Sequence, residues 1–196
     1  MVTLDWPADL VPSKATWGIQ SNTESFTSPL NRSTQTVERP GARWKALLEF
    51  PPKQGDALAR LEAFLASLGG QAGRFYLWPH HRPGSSALAP VVAGTLLNLK
   101  VLPVATIPPN TLAFRAGDFI EAGGELKMVI ADATSDVTGG ALVQVSPPFR
   151  KQPTVGSPIR VNKPRATMML ASDEYAVAVM PGRVSDSVVI SAVEVF

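Results

Sequence analysis

The chain of 196 residues contains no cysteine. This absence excludes disulfide bonds, thiol nucleophiles and thiolate metal ligands together. Histidine is scarce as well, and the two that occur, His80 and His81, are adjacent. Neighbouring side chains on an extended segment point in opposite directions, so this pair is poorly placed to chelate one metal ion. We therefore expect no metal site and no bound cofactor.

Recognisable catalytic motifs are also lacking. The sequence has no Gly-x-Ser-x-Gly nucleophile elbow, no P-loop and no dinucleotide-binding glycine pattern. The close acid pairs are Asp118 with Glu121 and Asp173 with Glu174. A glycosidase would need a second carboxylate from elsewhere for either pair, and acids of this kind are more typical of turns and strand ends. The sequence thus predicts no catalytic residues and a protein that is not an enzyme.

Long apolar runs and a strong charge bias are missing too. No stretch of 18 apolar residues is present, so no membrane span is predicted. The early acid and the prolines of MVTLDWPADLVPSK are not typical of a signal peptide. The formal net charge of +2 is too small to indicate nucleic-acid binding. Residues 149–172 carry five basic residues and no acid, which favours a solvated or subunit-contact surface over a phosphate-binding patch.

The sequence predicts one amphipathic helix. Pro51 and Pro52 end the preceding segment, and a helical pattern follows over about residues 53–68. Gly69 and Gly70 then supply the left-handed residue that closes helices. Leu58, Leu61, Leu65 and Leu68 recur at spacings of three or four, and Ala57 and Phe64 widen this apolar stripe.

The rest of the chain is predicted to be strand and loop. Apolar residues alternate with mostly polar ones over residues 43–50, and a polar, threonine-rich strand is predicted over 33–39. Because Arg39-Pro40-Gly41-Ala42 has type II turn chemistry, we expect these two strands to form a hairpin. Several short strands between residues 111 and 170, including 155–161 and 167–170, indicate a small barrel or sandwich.

The chain end suggests how the parts are organised. Residues 187–196 read as a long apolar strand, and a terminal strand must pair with another element to stay ordered. We expect it to return to the first domain. The predicted division is therefore residues 1–84 with 171–196 as one β domain that contains the helix, and residues 85–170 as an inserted small β-barrel-like domain.

The segment SPLNRSTQTVERPGARWKALLEFPP, followed by RLEAFLASLGG and GRFYLW, resembles the tail-tip (baseplate) proteins of long-tailed phages, in particular the distal tail protein. The segment FRAGDFIEAGGELKMVIADATSDVTGGALVQVSPPFR resembles the second β unit of the same proteins. The resemblance covers residues 25–149 and is looser outside them. It implies a mainly β fold, with a β-sandwich or split-barrel domain that carries one helix.

The resemblance also implies a structural role in the virion. Distal tail proteins form a hexameric ring that joins the tail tube to the hub and receptor-binding tip, and the phage genome passes through the lumen without specific binding. On this reading the polar strand and the terminal strand would contact neighbouring subunits. The interface residues that we predict are Arg32, Gln35, Arg39, Arg43, Lys45, Val189 and Val193.

Two other functions stay open from the residues themselves. The chain could be a monomeric β-sandwich module that binds carbohydrate or a receptor, with Tyr76 or Trp78 as a stacking platform, although buried aromatics are the commoner role. It could also be another tail component, such as a hub or tube-end protein, because these reuse related β folds.

Overall fold

The computed structural model describes residues 2–84, 87–182 and 184–196, and within them the chain is mainly β with one α-helix. The first half contains β1 (Thr3–Asp5), β2 (Lys14–Gln20), β3 (Thr23–Thr27), β4 (Thr34–Glu38), β5 (Arg43–Phe50), α1 (Asp56–Leu68), a 3-10 turn (Gly70–Ala72), β6 (Arg74–Leu77) and β7 (Val91–Val92). The second half contains β8 (Val101–Ala105), β9 (Leu112–Phe114), β10 (Phe119–Ala122), β11 (Glu125–Val129), β12 (Ala133–Thr134), β13 (Ala141–Ser146), β14 (Ala166–Leu170), β15 (Val179–Met180), β16 (Val184–Ser185) and β17 (Val188–Glu194). The predicted mainly β, sandwich-like fold class is confirmed.

A six-stranded sheet forms the first unit, with strand order β1-β6-β14-β17-β5-β2. β1 pairs with β6 in parallel, and the other neighbours are antiparallel. The alternation in β5 directs Trp44 and Leu48 into the core, because side chains two residues apart share a face. Lys45 on the opposite face is exposed.

Helix α1 covers the inner face of this sheet. It begins at Asp56 and ends at Leu68, and Gly69 follows with φ 61°, in the left-handed region. The four leucines and Phe64 of the predicted stripe are buried, and Ala57 is half-buried. Each fully buried leucine contributes about 1.5–3 kcal/mol, so this stripe is a main anchor of the core. The predicted helix and its glycine stop are confirmed.

The second unit lies, in sequence, between β6 and β14. Its main sheet has five strands in the order β10-β11-β13-β8-β7, and β9 pairs with β12 beside it. Its core contains Leu102, Ile120, Val143 and Phe149 among other buried residues. Leu126 of β11 instead belongs to the core of the first unit, so the two units share a packed boundary.

The terminal strand returns to the first unit, as predicted. β17 pairs with β5 from Val188↔Phe50 to Val193↔Lys45, and with β14 on its other side. The assignment of residues 167–170 to the inserted domain is wrong, because β14 pairs with β6 and β17 in the six-stranded sheet. The first sheet therefore resumes at Ala166 rather than after residue 170.

Two further strand predictions need correction. The polar strand β4 pairs with β3, not with β5, so the expected hairpin across Arg39-Pro40-Gly41-Ala42 does not form. Because β4 is exposed on both faces, no buried side chain indicated its partner. Residues 155–161 form no strand and make only isolated bridges such as Glu121↔Arg160.

Candidate assembly surface

A two-stranded arm (residues 22–40) extends from the edge of the six-stranded sheet. β2 and β5 are paired from Lys14↔Glu49 to Gln20↔Arg43, and β3 and β4 continue the same ribbon from Thr23↔Glu38 to Thr27↔Thr34. Residues 28–33 form the tip. Every residue of β3 and β4 is exposed, so neither face of the arm is covered by the rest of the chain.

The two faces of the arm differ in chemistry. The register places threonines and a serine on one face, where Thr27 and Thr34 lie within hydrogen-bond distance at 3.2 Å. Phe26 and Val37 lie on the other face and are 65% and 55% exposed. Leu30 at the tip is 97% exposed. The arm thus presents apolar surface to solvent along its length.

Hydrogen bonds and ion pairs hold the base of the arm. Arg39 donates from Nε to Glu24 Oε2 at 2.9 Å across the two strands. Asn22 donates from Nδ2 to the Pro40 carbonyl at 2.8 Å. Glu38 accepts from Lys100 Nζ at 2.7 Å, which ties the base to the loop before β8. The arm therefore leaves the molecule beside the second unit.

The tip is ordered by its own side chains. Asn31 Oδ1 accepts from the backbone N–H and the hydroxyl of Ser33, at 3.0 and 2.8 Å. Ser28 and Ser33 close the loop through a backbone hydrogen bond of 2.8 Å. Arg32 adopts φ 57° within this turn. Short-range bonds of this kind fix a turn locally but bury no apolar surface.

The seven predicted interface residues fall into three groups. Arg32, Gln35 and Arg39 lie on the arm and are exposed, with Arg39 already paired to Glu24. A second group lies on the uncovered outer face of the six-stranded sheet, as the register shows: Arg43, Lys45 and Val189.

Val193 is the exception among the seven. It is only 8% exposed, because it is packed within the chain between β5 and β14. It is therefore not accessible to a second chain in this conformation, and we correct its assignment as a contact residue.

Charged side chains are buried where the two units meet. Glu194 at the end of β17 accepts hydrogen bonds from Arg150 Nη2 at 2.8 Å and from the backbone N–H of Trp44 at 3.0 Å. Arg150 also lies 3.7 Å from Glu125, which pairs with the fully buried Lys127 at 2.7 Å. Burial lowers the pKa of Lys127, although Glu125 acts in the opposite direction. The charges of two acidic and two basic side chains thus balance at this boundary. The sequence pattern did not indicate this cluster.

The aromatic residues considered as a stacking platform are occupied on one side by cations of the same chain. The Arg165 guanidinium lies 3.8 Å from the Tyr76 ring centroid, and Lys163 Nζ lies 5.3 Å from that of Trp78. The His80 ring lies tilted against Trp78, with ring centroids 4.3 Å apart. Burial, with smaller effects of nearby positive charges, lowers the pKa of His80 to about 4.

Residues 2–84, 87–182 and 184–196 contain neither a metal-ligand cluster nor a helix that could cross a membrane. No group of three or more His, Asp or Glu side chains in these ranges is placed to hold a metal ion. Within the same ranges, no helix combines the length and the apolar character needed to cross a membrane.

No protein-family model matches the chain, and no curated protein matches it significantly. Arguments about function therefore depend on the arm, the two sheets and the boundary between the units.

Proposed function

We propose that this chain is a structural protein of the tail tip of long-tailed phages, a distal tail protein that assembles into a hexameric ring. The ring would join the tail tube to the hub and tip proteins, and the genome would pass through its lumen without specific binding. The protein would then act in the virion, after assembly in the host cytoplasm. Its mechanism is assembly, with no catalytic step.

The exposed arm is the observation that carries this proposal. A two-stranded hairpin is at best marginally stable in water unless a further strand or surface covers it. Here both faces of β3 and β4 are exposed, and both outer edges of the ribbon have unpaired backbone groups. Open strand edges favour pairing with another chain. An arm of this kind is therefore explained most directly by burial in an assembly.

An arm that docks on a different surface of the next copy is compatible with the proposed ring. The arm projects from one edge of the six-stranded sheet, and its surface differs from the surfaces elsewhere on the molecule. Such a contact is heterologous when the second copy passes its own arm on to a third copy, and heterologous contacts close into rings when the rotation permits. Arg32 and Gln35 on the arm are our proposed contact residues for neighbouring copies, and Lys45 and Val189 on the sheet are our proposed contact residues for other tail proteins.

Light scattering on a sizing column, with negative-stain images of the peak, tests the proposal. We expect a particle with six-fold symmetry and a central hole. A matched variant replaces residues 25–36 with Asn-Gly, because Glu24 and Val37 are paired and this dipeptide forms a two-residue hairpin turn. We expect that variant to be a folded monomer. A wild-type monomer at every concentration, or a ring from the shortened variant, would contradict the proposal.

A further inference from the structure

We propose that the arm of one copy docks on the outer face of the five-stranded sheet in the next copy. This inference rests on the proposed assembly and adds the surface that receives the arm. The occupant is a second copy of this chain, not a peptide or a glycan.

The receiving face carries no charged side chain over β8, β13 and Ile130. Leu142 of β13 is the register partner of Pro103 of β8, and Gln144 is the partner of Val101. Side chains of register partners lie on the same face of a sheet. Ala105 continues this face along β8, and Ile130 extends it beyond β11 through its backbone bond to Gln144. None of these six side chains is charged.

Part of the same face is already used for packing inside the chain. Leu126 and Met128 of β11 lie against the core of the first unit. Met128 is the register partner of Ser146, and the face then continues across β13 to Leu142 and Ile130, which are 58% and 49% exposed. A surface that buries apolar side chains at one end therefore leaves apolar side chains uncovered at the other.

The arm, like this face, carries almost no charge. Residues 25–37 carry a single charged side chain, that of Arg32. At the base, Glu24 pairs with Arg39 and Glu38 pairs with Lys100, so the arm brings few unpaired charges to a contact. Its Phe26, Leu30 and Val37 are the largest apolar side chains that it exposes. Apolar surface of this kind gains most by contact with another uncharged surface.

The outer face of the six-stranded sheet is the competing receptor, and charge makes it the poorer one. Lys14 and Glu49 lie on it as a 2.8 Å ion pair, and Lys45 lies on the same side of β5. An arm placed there would remove these charged groups from water without offering partners for them, which is unfavourable.

The arm does not cover this face in its own chain. Phe26, Val37 and Leu142 all remain more than half exposed when both elements are present in one molecule. The Glu38–Lys100 pair fixes the arm base next to the start of β8. Each copy therefore presents an arm and, beside its base, a face that is open to the arm of a neighbour.

The absence of cysteine from the chain allows a direct crosslinking test. Phe26→Cys would be mixed with Leu142→Cys, each carrying a different tag, and treated with a short bismaleimide. The control mixture pairs Phe26→Cys with Val189→Cys on the competing face. We expect heterodimeric crosslinks in the first mixture at a yield about tenfold above the control, as for a contact favoured by about 1.4 kcal/mol.

A charge placed on each face gives an independent measurement. Leu142 and Val189 are exposed to a similar degree, 58% and 56%, so lysine at either position leaves the fold intact. We expect Leu142→Lys to weaken self-association at least about tenfold in sedimentation experiments, and Val189→Lys to leave it unchanged.

The outcomes separate this inference from the proposed function. Assembly with crosslinks to position 189 rather than 142 would overturn the docking surface and leave the ring intact. Assembly with crosslinks to neither position would also overturn it. A monomer that gives no crosslinks would overturn both proposals.

Discussion

The contact of Trp44 with the second unit gives the sharpest test of how the two units are joined. The indole N–H of Trp44 donates to the Leu126 carbonyl at 2.8 Å, and the side chain is 2% exposed. Phenylalanine at this position cannot donate, so the carbonyl would be left buried without this partner, at a cost of about 1–3 kcal/mol. The smaller ring also leaves unfilled space beside Phe119. Together these effects lower the free energy of unfolding by about 2–4 kcal/mol.

Trp17 provides a control with the same substitution. Its Nε1 is buried and has no hydrogen-bond partner among the described residues, and its ring lies 6.2 Å from that of Trp44. Trp17→Phe therefore removes an unsatisfied donor and some contact area, with opposing effects on stability. We expect the free energy of unfolding to stay within about 1 kcal/mol of the wild-type value.

Urea unfolding followed by far-UV circular dichroism measures both variants, and thermal unfolding gives a second readout. For a chain of this size, a loss of 2–4 kcal/mol lowers Tm by about 4–16 °C. Equal losses for Trp44→Phe and Trp17→Phe would refute the reasoning, because the two substitutions differ chiefly in the hydrogen bond to Leu126.

Three further predictions concern the core, a tight turn and a histidine. Leu61→Ala should lower the free energy of unfolding by about 2–5 kcal/mol in urea titration, since Leu61 is fully buried on α1. Gly84→Ala should lower Tm clearly, because Gly84 has φ 75° and a Cβ there would overlap the Val161 carbonyl; Gly94→Ala, where a Cβ meets open space, should not. His80 has a folded pKa of about 4, below its unfolded value, so the unfolded chain binds the proton first as the pH falls. Stability should therefore decrease between pH 6.5 and 4, by about 1–2 kcal/mol after allowance for partial exposure, and a His80→Gln variant should lose less.

Each of the predictions for Leu61, Gly84 and His80 has an outcome that would contradict it. A Leu61→Ala variant with wild-type stability would mean that α1 does not anchor the core. An equal decrease in Tm for Gly84→Ala and Gly94→Ala would show that overlap with the Val161 carbonyl is not the cause. Parallel pH curves for the wild type and His80→Gln would show that His80 does not carry the acid sensitivity.

Local patterns in the sequence were sufficient for elements with a strong apolar period. The stripe of α1 and its glycine stop fixed both the helix and its end, because the leucines repeat with the period of a helix and Gly69 tolerates positive φ. β5 and β17 were recognisable for a similar reason, since their apolar alternation reports one buried face.

Pairing partners were harder to predict because they depend on contacts distant in sequence. β4 is exposed on both faces, so no buried side chain specified its register, and the turn chemistry of Pro40 and Gly41 pointed to the wrong partner. β2 was overlooked, although Ala15, Trp17 and Ile19 alternate with polar residues or glycine as in a half-buried strand. β14 was assigned to the wrong unit because its sequence does not encode which sheet it joins.

The sites that matter for assembly divide in the same way. Arg32 and Gln35 were identified from a polar strand and do lie on exposed surface. The pair of half-buried Arg150 and buried Glu194 joins residues 44 positions apart, and no local pattern relates them. The uncharged face around Leu142 was not visible either, because it arises only when β8 and β13 lie side by side.

The strands that flank the second unit have a consequence for the chain's modularity. Leu77, the last residue of β6, is the register partner of Ala166, the first of β14. The intervening segment therefore leaves and re-enters the sheet at one point. A tight turn could replace it without stretching the backbone, and the shorter loop would have a smaller entropic cost of closure. Leu126 and Phe119 are nevertheless part of the first core, so such an excision would strip the cover from Trp44. The second unit is therefore separable in its chain connections, but it covers part of the core of the first unit. A shortened first unit would need other side chains to cover Trp44.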